Sequence, residues 1–155
     1  MALVASSASE RQSGDHFLKT MHAFNERRGA LGFGDLPLLP SIGRMDVSFF
    51  DNCLWGSDEG IARERAIYSA LFPTSPYEWA AYAGLRGVSS EDLASPEYLR
   101  WRNQMLDAQA LWAHDHAGRD IFVTSDGRLK KVADRGNLLG IVVCTPEEAA
   151  AMLQY

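Results

Sequence analysis

The chain is poor in cysteine, in positive charge and in long apolar runs, and each shortage closes a class of function. Two cysteines in 155 residues, Cys53 and Cys144, with no CxxC pair, exclude a disulfide framework and fit reduced thiols that pack. Fifteen Lys and Arg against twenty Asp and Glu leave a net charge of −5. That balance argues against a broad electrostatic grip on nucleic acid, while local basic patches stay open. No run of 18 apolar residues occurs, so neither a membrane-spanning helix nor a membrane partner is expected. The opening stretch Met1 to Glu10 lacks a basic start and makes a poor signal peptide, so the expected compartment is the cytoplasm. The chain shows neither an internal repeat nor a low-complexity tract. Gly32, Gly34 and Gly43 do not belong to a phosphate loop, because GxxxxGK[ST] is absent.

What is present, 46% hydrophobic and 23% charged residues, is the composition of a globular domain. Residues 1–8 are small and polar and are expected as a flexible tail, with residues 9–155 as one domain. Phe17, Met21 and Phe24 recur at helical spacing, predicting a helix from Ser9 to Arg28 that stops at Gly29. Four glycines and two prolines make residues 29–44 a long loop. Val47-Ser-Phe-Phe50 reads as a short buried strand ending at Asp51 and Asn52. Ser57 opens a helix to Phe72, broken by Pro73 and Pro76. An aromatic helix over 77–83 stops at Gly84. Ser95-Pro-Glu97 carries a hydroxyl cap, proline in the first turn and an early acid, so it starts a helix that runs to about Ala117.

The last forty residues are the most regular. Asp120 to Thr124 reads as a strand, Arg128 to Arg135 as a basic helix closed by Gly136-Asn137, Leu138 to Cys144 as a second strand, and Thr145-Pro-Glu147 as the cap of a helix reaching Leu153. Strand, helix, strand at this spacing demands parallel strands. The expected fold class is therefore α/β, a single three-layer domain with a short parallel sheet flanked by helices.

In such sheets ligands gather at the carboxyl ends of strands, which is where Asp126 falls. Ser125-Asp126-Gly127 is equally good turn chemistry, so Asp126 alone decides nothing. Asp107 interrupts the apolar neighbours Met105, Leu106 and Ala108 in the middle of a helix, and must be paired, solvated or bound to a cation. His114-Asp115-His116 has the wrong spacing for two imidazoles on one helix face and reads as a solvated helix end. Trp55, Trp79, Trp101 and Trp112 read as packing residues rather than a base-stacking platform. Arg128, Lys130, Lys131 and Arg135 form a basic run directly after Asp126: a solvated face, or a contact for RNA phosphates.

Taken in order, Asp107-Ala-Gln-Ala-Leu111, then Ile121-Phe-Val-Thr-Ser-Asp126, then Gly140-Ile-Val-Val-Cys-Thr-Pro-Glu-Glu148 resemble the C-terminal half of the PIN-domain family. The resemblance covers residues 105–153. It implies a metal-dependent ribonuclease, often the toxin of a toxin–antitoxin pair, in which carboxylates hold Mg²⁺ or Mn²⁺. A cognate antitoxin or a second copy of the chain is the implied partner. Asp107 and Asp126 match the family's acids, with Thr124 and Ser125 beside them to orient a carboxylate or a bound water, and with Arg128, Lys130 and Lys131 as the RNA contact. The family opens with a strand ending in an aspartate, and that strand looks to be missing here. Asp51, followed by Asn52, is the nearest stand-in for its acid, although its spacing to Asp107 is short; Glu59 and Glu64 offer further carboxylates without a motif to choose between them. The expectation is a PIN-like protein truncated at its N-terminus or diverged to a compact form. Against the ribonuclease stands a non-catalytic PIN-like remnant that binds RNA or a protein. A phosphatase-like use of Asp51 as nucleophile is weaker, since Cys53 stands where a second Asp is wanted.

Overall fold

The structure, a computed structural model, describes residues 1–9, 18, 20–136 and 138–154. The first residues are not a loose tail. Leu3–Val4 form a strand, β1, and Ala5–Ser9 a 3₁₀ turn. Ala5 and Ser6 are buried, and the turn packs on the longest helix of the chain. Four apolar or small residues are enough for this because a pleated pair needs only backbone partners, which β2 (Leu38–Leu39) supplies in parallel.

Thr20 is extended and its hydroxyl accepts the Ala23 N–H, so α1 (Met21–Ala30) begins there; residues 10–17 and 19 of the helix expected from Ser9 lie outside the described residues. Met21 and Phe24 are its buried face; Phe17 lies outside the described residues. The supposed loop 29–44 contains β2 and β3 (Ser41–Ile42). β3 pairs in parallel with β4 (Cys53–Leu54).

Val47–Phe50 is not a strand. Asp46 takes a left-handed conformation (φ 59°), and Ser48 folds back, its hydroxyl donating to the Ile42 carbonyl at 2.9 Å and accepting the Arg44 N–H at 3.2 Å. A side chain that satisfies backbone groups locally competes with strand pairing. Val47 still ends up buried, as a plug from a turn rather than a strand residue.

The helices follow their caps. Ser57 opens α2 (Asp58–Leu71) and Ser95 opens α4 (Pro96–His116), each hydroxyl accepting an N–H three residues on. Between them, α3 (Trp79–Arg86) runs through Gly84 and ends at Gly87, whose positive φ closes the helix. β5 (Ile121–Val123) and β6 (Val142–Cys144) pair in parallel with α5 (Gly127–Asp134) crossing between them, as the spacing predicts. Leu139 and Gly140, both at positive φ, shorten β6 from the front. Asn137, expected to close α5, lies outside the described residues. Thr145 and Glu148 form a reciprocal cap on α6 (Pro146–Met152).

The class is thus α/β, but the one sheet expected from the sequence is replaced, among the described residues, by three separate parallel pairs. α4 joins the first two pairs and meets the third through His114 against Phe122. It packs on α2, α3, β1, β3 and the N-terminal turn, and buries Trp101, Met105, Leu111 and Trp112 against Ile67, Tyr68 and Tyr82. Ile67 and Leu111 are fully buried, each contributing about 1.5–3 kcal/mol by leaving water. Of the buried polar residues, Gln109 and Glu64 are completely enclosed. Gln109 donates to the Ile42 carbonyl at 2.9 Å and so ties α4 to β3. Glu64 is bound by Arg44. None of the helices among the described residues is long and apolar enough to cross a membrane.

Candidate metal and nucleic-acid site

Asp126 owes its position to two local bonds. The Thr124 N–H continues the β5–β6 ladder by donating to the Cys144 carbonyl, while the Thr124 hydroxyl accepts the Asp126 N–H at 3.0 Å and turns the chain. Asp126 then caps α5, accepting the Arg128 N–H at 2.7 Å. This puts a carboxylate at the carboxyl end of β5, and Ser125 exposed beside it.

The same carboxylate is gripped by the Arg128 guanidinium, Nη2 to Oδ2 at 2.9 Å and Nε to Oδ1 at 3.3 Å. Chiefly through that hydrogen bond, and through backbone N–H groups at the start of α5, Asp126 is held below the usual carboxylate range. Asp107, half-buried on α4 between buried Leu106 and Ala108, also acts on this guanidinium. Its charge helps to raise the Arg128 pKa, after the larger effect of Asp126.

Asp51 lies elsewhere in the topology, exposed in a 3₁₀ turn that leads into β4 and the β3–β4 pair. No group of three or more His, Cys, Asp or Glu able to hold an ion occurs among the described residues. The three candidate acids Asp51, Asp107 and Asp126 therefore do not assemble into one such group. Glu64 is taken up by Arg44 in the core, and Glu59 faces a separate cleft.

The basic run is divided. Lys130 ties α5 to α6, with its ammonium 2.7 Å from Asp134 and 3.3 Å from Glu148. Arg128 is 82% exposed despite its ion pair, and Lys131 and Arg135 point to solvent. Arg128, Lys131 and Arg135 are thus the exposed cations of the run, while Lys130 is engaged by two carboxylates.

His114 is buried rather than solvated, its ring edge-on to Phe122 at 5.5 Å; only His116 is exposed. Of the tryptophans, Trp101 and Trp112 are core residues and Trp79 packs against them, but Trp55 is almost fully exposed. Cys53 and Cys144 are both free.

No family model, curated protein or solved structure matches the chain. Its reading therefore rests on the geometry above.

Burial lowers the His114 pKa, against the opposing pull of Asp115 and Asp120. A depressed pKa means that the unfolded chain takes up the proton first. The stability this imidazole contributes is complete above the unfolded value of about 6.5 and is lost as pH falls through the lower folded value. The Asp126 contribution follows the same sign in a separate window, present above about 3.9 and lost below it. Urea midpoints measured from pH 7.5 to 5 are expected to fall, and the His114→Phe variant is expected to lack that slope.

Proposed function

We propose that the chain is a PIN-like ribonuclease that cleaves RNA phosphodiesters with Mg²⁺ or Mn²⁺ held by Asp107 and Asp126. The observation that carries this reading is the Asp126 carboxylate at the carboxyl end of a parallel strand, capping a helix and paired with a largely exposed guanidinium. A carboxylate so placed, with a second acid on the neighbouring helix α4, suits a hard divalent ion. Such ions keep several waters and are held by one or two carboxylates together with substrate phosphates. The oxygen donors present therefore fit the ion once RNA supplies the rest. When bound, the ion lowers the pKa of a coordinated water and offsets charge on the phosphate.

The chain's own residues supply the remainder. Asp126 stays ionised because its pKa is depressed, and its orientation is fixed by the helix cap and by Thr124. Ser125 is exposed next to it, within reach of incoming substrate. Arg128, being largely solvent-exposed, is free to leave Asp126 and take a phosphate oxygen, with Lys131 beside it as a second cation.

The Arg128–Asp126 pair also supports a second reading, a protein that binds RNA without cutting it, in which this guanidinium permanently neutralises Asp126. The two are separated by incubating purified protein with single-stranded RNA. Cleavage that needs Mn²⁺ or Mg²⁺ and stops with EDTA is the expected result. Salt-dependent binding with no metal-stimulated cleavage overturns the ribonuclease and leaves the binding protein.

A further inference from the structure

Trp55 follows β4 and precedes the Ser57 cap of α2, and it is 96% exposed. The other three indoles each donate to a carbonyl: Trp79 to Ser90, Trp101 to Tyr77 and Trp112 to Gly60. Trp55 makes no such bond among the described residues. It borders a cleft of about 280 Å³ that also takes in Glu59, Arg63, Trp112, Asp115 and His116. That volume lies near the lower end of small-ligand sites, ~300 Å³.

The lining is aromatic and mildly acidic. The His116 ring lies flat on Trp112, with centroids 4.5 Å apart and planes 11° from parallel, so a second flat surface borders the same cleft. Arg63 is already held by Asp115 through two hydrogen bonds of 2.8 and 3.0 Å, and it donates a third to the Leu139 carbonyl. Glu59 has no ion pair among the described residues and stands exposed at the start of α2. Two carboxylates against one occupied guanidinium disfavour a phosphate here. They favour a flat, uncharged ring that carries N–H donors on its edge.

We infer that this cleft binds an unpaired guanine base of single-stranded RNA, stacked on Trp55 with its N–H edge donating to Glu59. Guanine presents two adjacent donors, one on the ring and one amino, which match the two oxygens of a carboxylate. Stacking of bases on an exposed aromatic is a general means of holding single strands. The inference rests on the RNA reading for the source of the base, and is independent of the acids at Asp107 and Asp126.

The probes are two short single-stranded RNAs, one all-uridine and one with a single central guanosine, titrated by fluorescence anisotropy in EDTA. The native protein is expected to prefer the guanosine strand, with quenching of indole emission. Trp55→Ala is expected to weaken binding of that strand roughly tenfold or more, and to remove the quenching. Glu59→Gln is expected to abolish the preference between the strands. Both side chains are exposed, so folding should survive, and urea midpoints verify that it does. Equal affinity of the native protein and both variants for the guanosine strand overturns the inference, whether or not metal-dependent cleavage is found. Loss of cleavage with Trp55-dependent binding intact overturns the ribonuclease and leaves this site standing. Absence of any RNA binding overturns both.

Discussion

Replacing Arg44 with Met is expected to lower stability by about 3–5 kcal/mol, the usual consequence of removing one partner from a buried ion pair. Glu64 is the reason. Its side chain is wholly buried on α2, its Oε2 accepts from Arg44 at 2.9 and 3.1 Å and from the Tyr77 hydroxyl, and its Oε1 has no hydrogen-bond partner among the described residues. Tyr77 is held in turn between two guanidinium groups, Arg44 at 4.5 Å and Arg65 at 4.8 Å from its ring centre. Burial and the Glu64 charge push its hydroxyl above the ordinary tyrosine range, so it remains a donor to the carboxylate. Without Arg44, a charge with no access to water would have only one hydroxyl to compensate it. The measurement is the urea midpoint at pH 7. The double variant Arg44→Met with Glu64→Met is expected to recover most of the loss, since an apolar pair of similar volume removes the desolvation cost altogether. Failure of the double variant to recover would place the stability in packing rather than in charge.

Turnover is expected to fall by about two orders of magnitude or more when Asp126 is replaced by Asn. Loss of groups that merely support a metal ligand costs ~10–100-fold, and a ligand itself should cost no less. The substitution is chosen because Asn caps helices about as well as Asp. It therefore keeps the hydrogen bond to the Arg128 N–H that starts α5, and leaves the fold intact. RNA affinity is expected to hold or rise, because one negative charge is removed and Arg128 is released from its ion pair. Asp107→Asn is expected to show the same loss of turnover, whereas Asp51→Asn, altering an exposed turn that leads to a different strand pair, is expected to leave it unchanged. Single-turnover cleavage in Mn²⁺, read beside anisotropy in EDTA, separates the two effects. A strong Asp51→Asn defect would show that the acids assemble only with substrate.

Elements with strong terminal chemistry were readable from the sequence. Ser95-Pro96 and Thr145-Pro146 state where α4 and α6 begin, and the run from Ile121 to Cys144 dictates a parallel crossover. The turn after β5 that carries Asp126 was legible for the same reason. Short pairs were not. β1 to β4 have two residues each, too few to show any period, and they exist because backbone partners from distant segments meet on α4. Val47–Phe50 has strand composition but is overruled by the Ser48 hydroxyl, a local bond that hydrophobicity does not report. Trp55 was assigned to the core by residue type. Its neighbours Gly56, Ser57 and Asp58, a turn and a helix start, were the signal that it stands outside any periodic face. Arg44 and Glu64 lie twenty residues apart in dissimilar segments, and nothing in either segment announces the other.

Each sheet in the described chain has two strands, so every strand is an edge, with one row of N–H and C=O groups unmatched by a neighbour. In the β5–β6 pair this coincides with outward-facing Ile121, Val123 and Val142, the sort of surface on which a foreign strand could settle. The protection here is brevity. With two or three residues per strand, a segment laid alongside would gain only a few backbone bonds before the chain turned away into a helix or a left-handed residue such as Leu139. Too little of any edge is presented to template the growth of an aggregate.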